Sequence, residues 1–94
     1  MRVASIRHKG LQRLWTRDES RGLPPDQVKR LKAALSLLAA APSVKVLATN
    51  PGWRVHALKG DRKGAWSMTI TGNWRLTFVE SEGLIHDLDL EDYH

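Results

Sequence analysis

Large apolar side chains alternate with smaller or polar ones along the run Gly64-Ala65-Trp66-Ser67-Met68-Thr69-Ile70-Thr71-Gly72-Asn73-Trp74-Arg75-Leu76-Thr77-Phe78-Val79-Glu80. Every second residue from Trp66 to Ile70, and again from Trp74 to Phe78, is large and apolar. That period of two is typical of strands with one buried face. Thr71-Gly72-Asn73 suits a tight turn between them. The run therefore predicts an antiparallel hairpin of strands 64–71 and 74–80, with Arg75 on the face opposite the core.

Further strands flank this hairpin on both sides. Residues 53–58 have the texture of a preceding strand, and residues 84–90 follow a turn at Ser81-Glu82-Gly83. Consecutive strands joined by short turns form an antiparallel meander. A short strand over 3–6 begins the sequence, so that four strands follow the helical part and one precedes it.

Two helices are predicted between the first strand and the meander. From Gly10 onward, Leu11, Leu14 and Trp15 fall at i, i+3 and i+4, which marks one helical face. The second helix starts at Pro25, ends before Pro42, and has an apolar stripe made of Val28, Leu31, Leu35 and Leu38. Residues 43–52 are predicted to be irregular.

These elements predict an α+β fold in a single domain spanning residues 1–94. Two N-terminal helices would pack on a small, mostly antiparallel sheet, in the chain order β-α-α-β-β-β-β. Ninety-four residues suffice for one modest core. The three tryptophans near the sheet suit that core; Trp66 and Trp74 are assigned to it, whereas Trp53 is left between core packing and base stacking.

Composition narrows the class of protein. The chain has no cysteine, which excludes disulfides and thiolate metal sites and fits a reducing compartment. No apolar run reaches the roughly 18 residues of a membrane span, and the N-terminal residues lack the apolar stretch of a secretory signal. We therefore expect a cytoplasmic protein with no membrane association.

Charge is distributed unevenly along the chain. The net charge is +5, yet all fifteen Lys and Arg residues lie within positions 1–80, and five of the ten acids lie in the last fourteen positions. A basic body of this kind suits an anionic partner such as RNA, bound through its phosphates. It equally suits a solvated surface balanced by an acidic protein partner, and charge alone leaves both open.

Two clusters of proton-transfer and cationic groups stand out. Asp92-Tyr93-His94 ends the sequence with a carboxylate, a phenol and an imidazole, and the segment 54–60 contributes His56 and Lys59. Neighbouring strands can bring His56, Lys59 and Arg75 together, although a lone strand arginine is more often a solvated or ion-paired residue. Imidazole, with a free pKa of about 6.5, can both take and give a proton near neutral pH.

The other two histidines have structural interpretations. His8 stands where a helix cap or plain solvent exposure is expected, and His86 is assigned to a strand. No histidine pair has the i, i+4 helical spacing of a metalloprotease, and there is no acidic calcium loop. We predict no metal and no cofactor.

Three motifs, in order, resemble one family. They are Trp53-Arg54-Val55-His56-Ala57-Leu58-Lys59-Gly60-Asp61-Arg62-Lys63-Gly64-Ala65-Trp66-Ser67, then Thr71-Gly72-Asn73-Trp74-Arg75-Leu76-Thr77-Phe78, and last Glu91-Asp92-Tyr93-His94. The opening Arg7-His8-Lys9-Gly10-Leu11 and the helix around Lys29-Arg30-Leu31 are similar too. Together they resemble HigB-type toxins of the RelE/ParE superfamily over nearly the whole chain.

The resemblance implies a toxin of a type II toxin–antitoxin pair. Such toxins are ribosome-dependent mRNA endonucleases, and their partner is a helix-turn-helix antitoxin of the HigA type. It implies a toxin that is itself monomeric and joins a hetero-oligomer with the antitoxin, with the ribosome and mRNA as its other partners. Its fold, two helices on a small antiparallel sheet, agrees with the order derived from the residues.

The resemblance also implies a site. The catalytic positions fall on His56, Lys59, Asp92, Tyr93 and His94, with Arg75 and Lys59 binding the substrate phosphate. Basic residues outside this set would dock on ribosomal RNA or simply form a solvated helical face: Arg13, Arg17, Lys29, Arg30 and Lys32.

Two rival functions keep the same fold. One is a ParE-like toxin that inhibits DNA gyrase by binding and has no ribonuclease activity. The other is an inactive homologue that binds an antitoxin and regulates transcription. Since fold does not imply function, the composition of the site must decide between them.

Overall fold

The fold is described for residues 1–92 from a computed structural model. Its elements are β1 (Arg2–Val3), α1 (Lys9–Arg17), α2 (Val28–Ala40), α3 (Val44–Leu47), β2 (His56–Ala57), β3 (Ala65–Thr71), β4 (Trp74–Ser81) and β5 (Leu84–Asp92). Single 3-10 turns occupy Pro25–Gln27, Pro51–Trp53 and Gly60–Arg62. The strands form one sheet in the order β1-β5-β4-β3-β2, in which β1 runs parallel to β5 and all other neighbours are antiparallel. The predicted α+β fold is confirmed, with one short helix added.

The helices cover one face of the sheet through the predicted apolar stripe. Leu31, Leu35 and Leu38 of α2 are at most 2% exposed. They share one cluster with buried side chains from the sheet, among them Phe78. The hairpin alternation is confirmed as well, since the core takes Met68, Ile70, Leu76 and Phe78 from β3 and β4. Burial of each such side chain contributes about 1.5–3 kcal/mol, so the core face of the sheet holds the sheet and helices together. The helices leave the opposite face of the sheet open.

Several local expectations were wrong at their boundaries. The second helix begins at Val28 rather than at Pro25, because Pro25–Gln27 form a separate 3-10 turn. The first strand is Arg2–Val3 rather than residues 3–6. Beyond it, Ile6 pairs with Leu88 in an isolated bridge that does not extend the strand. β2 is two residues long, since Arg54 adopts a left-handed backbone with φ 46° and keeps residues 53–55 out of the strand. α3 occupies part of a stretch predicted to be irregular, and the Ser43 hydroxyl caps it by accepting from the Val46 amide at 3.2 Å.

Of the two roles expected for His8, a helix cap or plain solvent exposure, the structure shows the cap. Its backbone is extended, and its Nδ1 accepts a hydrogen bond from the amide of Leu11 at 3.3 Å. That bond satisfies one of the amides that the first turn of α1 leaves without a helical partner. His8 therefore starts α1 and takes no part in the site described below.

A bulge in β5 sets which of its acidic residues face away from the core. Thr77 pairs with Asp89, but two residues later Val79 pairs with His86, so β5 holds one residue more than β4 over this interval. Asp87 has a left-handed φ of 54° at this position. Strict alternation from Ile85 would put residues 87, 89 and 91 on the core face. Because of the bulge, Leu88 and Leu90 are buried there instead, and Glu91 is released to the open face.

Arg30 ties α2 to the sheet and to the loop before β2. The β3–β4 register shifts between Thr69 and Thr71, and the carbonyl of Ile70 at this irregularity accepts a hydrogen bond from Arg30 Nε. Nη2 of the same guanidinium donates to the Gly52 carbonyl at 3.0 Å. The guanidinium carbon lies 3.9 Å from the centre of the Trp53 ring. Trp53 packs against the core, as the core interpretation of this residue requires.

Candidate active site

One row of paired residues crosses the open face of the sheet. His56 lies opposite Ser67, Ser67 opposite Thr77, and Thr77 opposite Asp89. Directly opposed residues of antiparallel strands project to the same side. Although β2 is only two residues long, its pairing is therefore enough to fix His56 on the face that the helices leave open.

A cleft of about 570 Å³ lies on this face. It is lined by His56, Leu58, Lys59, Arg62, Ser67, Arg75, Thr77, Glu91 and Asp92. Ser67 and Thr77 are 4% and 6% exposed and form its floor, whereas His56, Lys59 and Asp92 are exposed at its rim. Four residues singled out from the sequence, namely His56, Lys59, Arg75 and Asp92, therefore lie together in one concave site.

The imidazole of His56 and the ammonium of Lys59 come from positions three residues apart in the chain. His56 Nδ1 lies 3.0 Å from the carbonyl oxygen of Arg54. Lys59 precedes the 3-10 turn Gly60–Arg62, and the Leu58 amide donates to the Ala65 carbonyl at 2.9 Å, which closes the loop back onto β3. The loop thus brings Lys59 to the same cleft that β2 supplies with His56.

Arg75 is held by the turn of the hairpin. Its Nη1 donates to the Gly72 carbonyl at 2.8 Å and to the carbonyl of the preceding residue, Trp74, at 3.2 Å. Gly72 has a φ of 49°, a conformation that glycine adopts without the cost of a Cβ. Arg75 is half-buried and lies opposite Glu91 in the β4–β5 register. A tight turn therefore fixes a guanidinium at the cleft, where it can bind an anion.

The sequence reasoning missed a second set of residues in the cleft. Arg62 makes a two-pronged ion pair with Glu91, with Nη1–Oε1 at 2.9 Å and Nη2–Oε2 at 2.6 Å. The hydroxyl of Thr77 also donates to Glu91 Oε2. Spacing could not reveal this pair, because the bulge in β5 decides whether Glu91 faces the cleft or the core. The sequence does contain one signal for this pair, which is complementary charge. Glu91 is an acid in the last strand, and Arg62 is a cation in the loop after Lys59.

The ion pair shifts the titration of both partners. The hydrogen bonds from Arg62, aided by that from Thr77 and by the charges of Arg62 and Arg7, lower the pKa of Glu91 below its ordinary value despite partial burial. The same bond raises the pKa of the Arg62 guanidinium. Glu91 is therefore a carboxylate at neutral pH and is unsuited to act as a proton donor.

The remaining two predicted site residues, Tyr93 and His94, lie outside the described residues. They directly follow Asp92, which lines the cleft. Their catalytic roles stay predictions.

The basic residues proposed for docking lie away from the cleft lining. Lys32 pairs with Asp18 at 2.8 Å, and Arg13 donates to the Arg21 carbonyl at 3.3 Å. Arg30 is engaged as described above, and Arg17 and Lys29 are exposed. A role in ribosome docking for Arg13, Arg17, Lys29, Arg30 and Lys32 stays a prediction, and the contacts of Arg30 give it a structural task as well.

The fold is shared with solved toxin structures. A mutant of YafQ from E. coli superposes with a TM-score of 0.58 at 16% identity, over 98% of this chain and 93% of that one. The YoeB/ParE toxin from Agrobacterium tumefaciens superposes with a TM-score of 0.50 at 17% identity, over 100% of this chain and 99% of that one. The chain therefore shares the fold of these two proteins.

Sequence comparison narrows the class to a family. Residues 4–94 match the model of the RelE-like toxin of the type II toxin–antitoxin system HigB. The chain is also 37% identical over 92 residues to Endoribonuclease HigB of Proteus vulgaris, which spans 98% of this chain and 99% of that protein. The chain belongs to the HigB-like toxin family, and membership in a type II family implies an antitoxin partner.

Proposed function

We propose that this protein cleaves mRNA on the ribosome, in the cleft of the open sheet face. One observation carries the proposal: His56, Lys59, Arg75 and Asp92 come from three separate parts of the sequence and converge in one cleft. The family match and the similarity to an endoribonuclease support it. A ParE-like inhibitor that acts by binding alone has no need for an imidazole, an ammonium and a carboxylate in one concavity.

The reaction uses the nucleophile that RNA itself carries. A base takes the proton of the 2′-OH while its oxygen forms a bond to the adjacent phosphorus. The bond from phosphorus to the 5′ oxygen then breaks, and an acid protonates that oxygen. The products are a 2′,3′-cyclic phosphate and a 5′-OH, so that protons and bonds balance without water or a metal.

The residues divide the work by their chemistry. His94 and Asp92 act in proton transfer with the assistance of His56, and Tyr93 orients a base or a proton donor. Lys59 and Arg75 hold the scissile phosphate and neutralise the charge that the phosphorane gains. Positioned acid–base groups contribute about 10²–10⁴-fold, and fixed cations at the developing charge contribute as much or more.

The partners follow from this activity. The substrate is mRNA on a translating ribosome, so the toxin acts in the cytoplasm. Residues 1–94 act there as a single domain. A helix-turn-helix antitoxin of the HigA type neutralises it in a hetero-oligomer, while the free toxin is monomeric. No helix within residues 1–92 is long and apolar enough to cross a membrane.

The test is primer-extension mapping of a translated mRNA with and without ribosomes. The wild type should cut only in the presence of ribosomes, and His94→Ala should abolish the cuts. His86→Ala is the matched control, because His86 lies in β5 but does not line the cleft. If neither the wild type nor the variants cut, DNA-damage signalling on expression would favour the gyrase-inhibitor reading, and unimpaired growth would favour an inactive regulator.

A further inference from the structure

We propose that the Arg62–Glu91 ion pair is a positioning device that fixes Lys59 relative to the end of β5. The proposal rests on the function proposed above, and it adds two residues that the sequence did not single out. Arg62 follows Lys59 by three residues, and Glu91 directly precedes Asp92. The pair thus joins the two segments that supply the cation and the carboxylate of the cleft.

The loop that carries Lys59 has little apolar packing to hold it. Residues 59–64 are all exposed, and the turn Gly60–Arg62 contains no buried residue. Gly60 and Gly64 both have a positive φ, at 67° and 99°, and a Cβ at either would meet no atom within 4 Å. Within residues 1–92, the amides of Arg62 and Lys63 donate to carbonyls of the same loop, those of Lys59 and Gly60. Hydrophobic burial therefore cannot set the position of Lys59.

The ion pair supplies the constraint that packing does not. Two parallel N–H···O bonds fix the orientation of the Arg62 guanidinium plane relative to the Glu91 carboxylate plane. With a single hydrogen bond, the two groups could rotate relative to each other. The Thr77 hydroxyl, on the buried floor of the cleft, holds the same carboxylate from β4. The loop is thereby connected to two strands of the sheet.

The expected contribution is to geometry rather than to stability. The side chains of Arg62 and Glu91 are 49% and 32% exposed, and ion pairs at such exposure contribute little to the free energy of unfolding. A misplacement of a catalytic group by about 1 Å can nevertheless cost on the order of 100-fold in rate. The ion pair can therefore contribute little to the free energy of unfolding and still have a large effect on the rate of a reaction that depends on Lys59.

A competing role for the same residues predicts the opposite outcome. If Glu91 merely occupied Arg62 until a phosphate displaced it, removal of the Glu91 charge would free a cation for RNA. Glu91→Gln would then lower KM and leave kcat unchanged or raised. If the pair positions Lys59, Glu91→Gln lowers kcat and leaves KM nearly unchanged.

The experiment compares charge-reversed variants of the full chain in single-turnover and steady-state cleavage on programmed ribosomes. Arg62→Glu and Glu91→Arg should each lower kcat by about 10- to 100-fold. The double variant Arg62→Glu/Glu91→Arg should recover at least about tenfold of that loss, because the pair is restored with its partners exchanged. Lys63→Glu and Asp61→Arg make the same charge changes in the loop that follows Lys59, do not line the cleft, and should leave kcat unchanged. A double variant as slow as the single ones would overturn the proposal.

A second readout separates this proposal from the proposed function. Amide hydrogen exchange of residues 59–63, measured without RNA, should become faster in both single variants and return toward the wild-type rate in the double variant. Unchanged exchange in the single variants overturns the positioning role whether or not the wild type cuts RNA. A wild type that leaves mRNA intact on ribosomes overturns the proposed function, and exchange rates that follow the pair then support the structural part of the inference by themselves.

Discussion

The ring Nδ1 of His56 lies 3.0 Å from the carbonyl oxygen of Arg54, two residues earlier in the chain. A carbonyl oxygen only accepts hydrogen bonds, so this contact requires a proton on Nδ1. In the neutral imidazole the other nitrogen, Nε2, is then the one with a free lone pair. The left-handed backbone of Arg54, with φ 46°, brings its carbonyl into this position. Local backbone geometry therefore selects the tautomer in which Nε2 is the basic atom.

This tautomer can be observed directly. Long-range ¹H–¹⁵N correlation spectra of the neutral His56 imidazole should show a protonated Nδ1 and an unprotonated Nε2. His8 is the internal control with the opposite pattern, because its Nδ1 accepts from the Leu11 amide. Protonation of His56 at Nε2 in the neutral form would contradict the assignment.

Lys59 and Lys63 make a matched pair for testing the cleft. Both are exposed in one loop, but only Lys59 lines the site. Lys59→Ala should reduce the rate of mRNA cleavage by about 10²–10³-fold, since it removes a cation at the developing negative charge. Lys63→Ala should stay near wild type. Equal losses in the two variants would mean that general charge, rather than a positioned ammonium, accounts for the effect.

The Glu91 carboxylate should make stability depend on acid pH. Its pKa is lowered in the folded protein, chiefly by the hydrogen bonds from Arg62, so its contribution is present above the unfolded pKa of about 4.3. That contribution is lost as the pH falls through the lower, folded pKa. At this exposure the effect at neutral pH is less than about 1 kcal/mol.

Thermal unfolding of wild type and Glu91→Gln at several pH values measures this contribution. The Gln variant should melt below wild type at pH 7, and the gap should close as the pH falls below the folded pKa. Asp87→Asn, which changes an exposed acid in the same strand, serves as the control for net charge. A gap that persists unchanged into acid would exclude ionisation of Glu91 as its cause.

Arg30 should be a stabilising residue. Arg30→Met removes the bonds to the Ile70 and Gly52 carbonyls and the contact with the Trp53 ring. We expect a loss of about 1–3 kcal/mol in the free energy of unfolding, which lowers Tm by roughly 4–8 °C for each kcal/mol in a chain of this size. Lys29→Met, at the exposed neighbouring position, should change stability by less than about 0.5 kcal/mol. Equal melting of the two variants would show that the contacts of Arg30 contribute nothing.

The sequence predicted the parts of this molecule that follow from period and order. The alternation from Trp66 to Phe78 gave the hairpin, and strand order brought His56, Lys59, Arg75 and Asp92 to one site. These inferences need only that neighbouring strands pair and that one face is buried.

What the sequence could not predict depends on departures from regular period. The left-handed backbone at Arg54 shortens β2, and the bulge at Asp87 shifts the phase of β5 so that Glu91 reaches the cleft. Non-glycine residues rarely adopt such a conformation; Arg is not a residue type that favours it, and the preference of Asp is too weak to mark position 87 in advance. The pair of Arg62 and Glu91 depends on that phase and was therefore missed, although its charges are complementary.

The central claim is that the cleft cleaves RNA with the 2′-OH as nucleophile, and the chemistry of the product ends tests it most directly. Purified toxin should be incubated with ribosomes programmed with a labelled mRNA, and the termini of the fragments determined by their reactivity with polynucleotide kinase and phosphatase. We predict a 2′,3′-cyclic phosphate on the upstream fragment and a 5′-OH on the downstream one, formed about 10²–10³-fold more slowly by Lys59→Ala and near the wild-type rate by Lys63→Ala. A 5′-phosphate on the downstream fragment would contradict the mechanism, because it requires attack by water rather than by the 2′-OH.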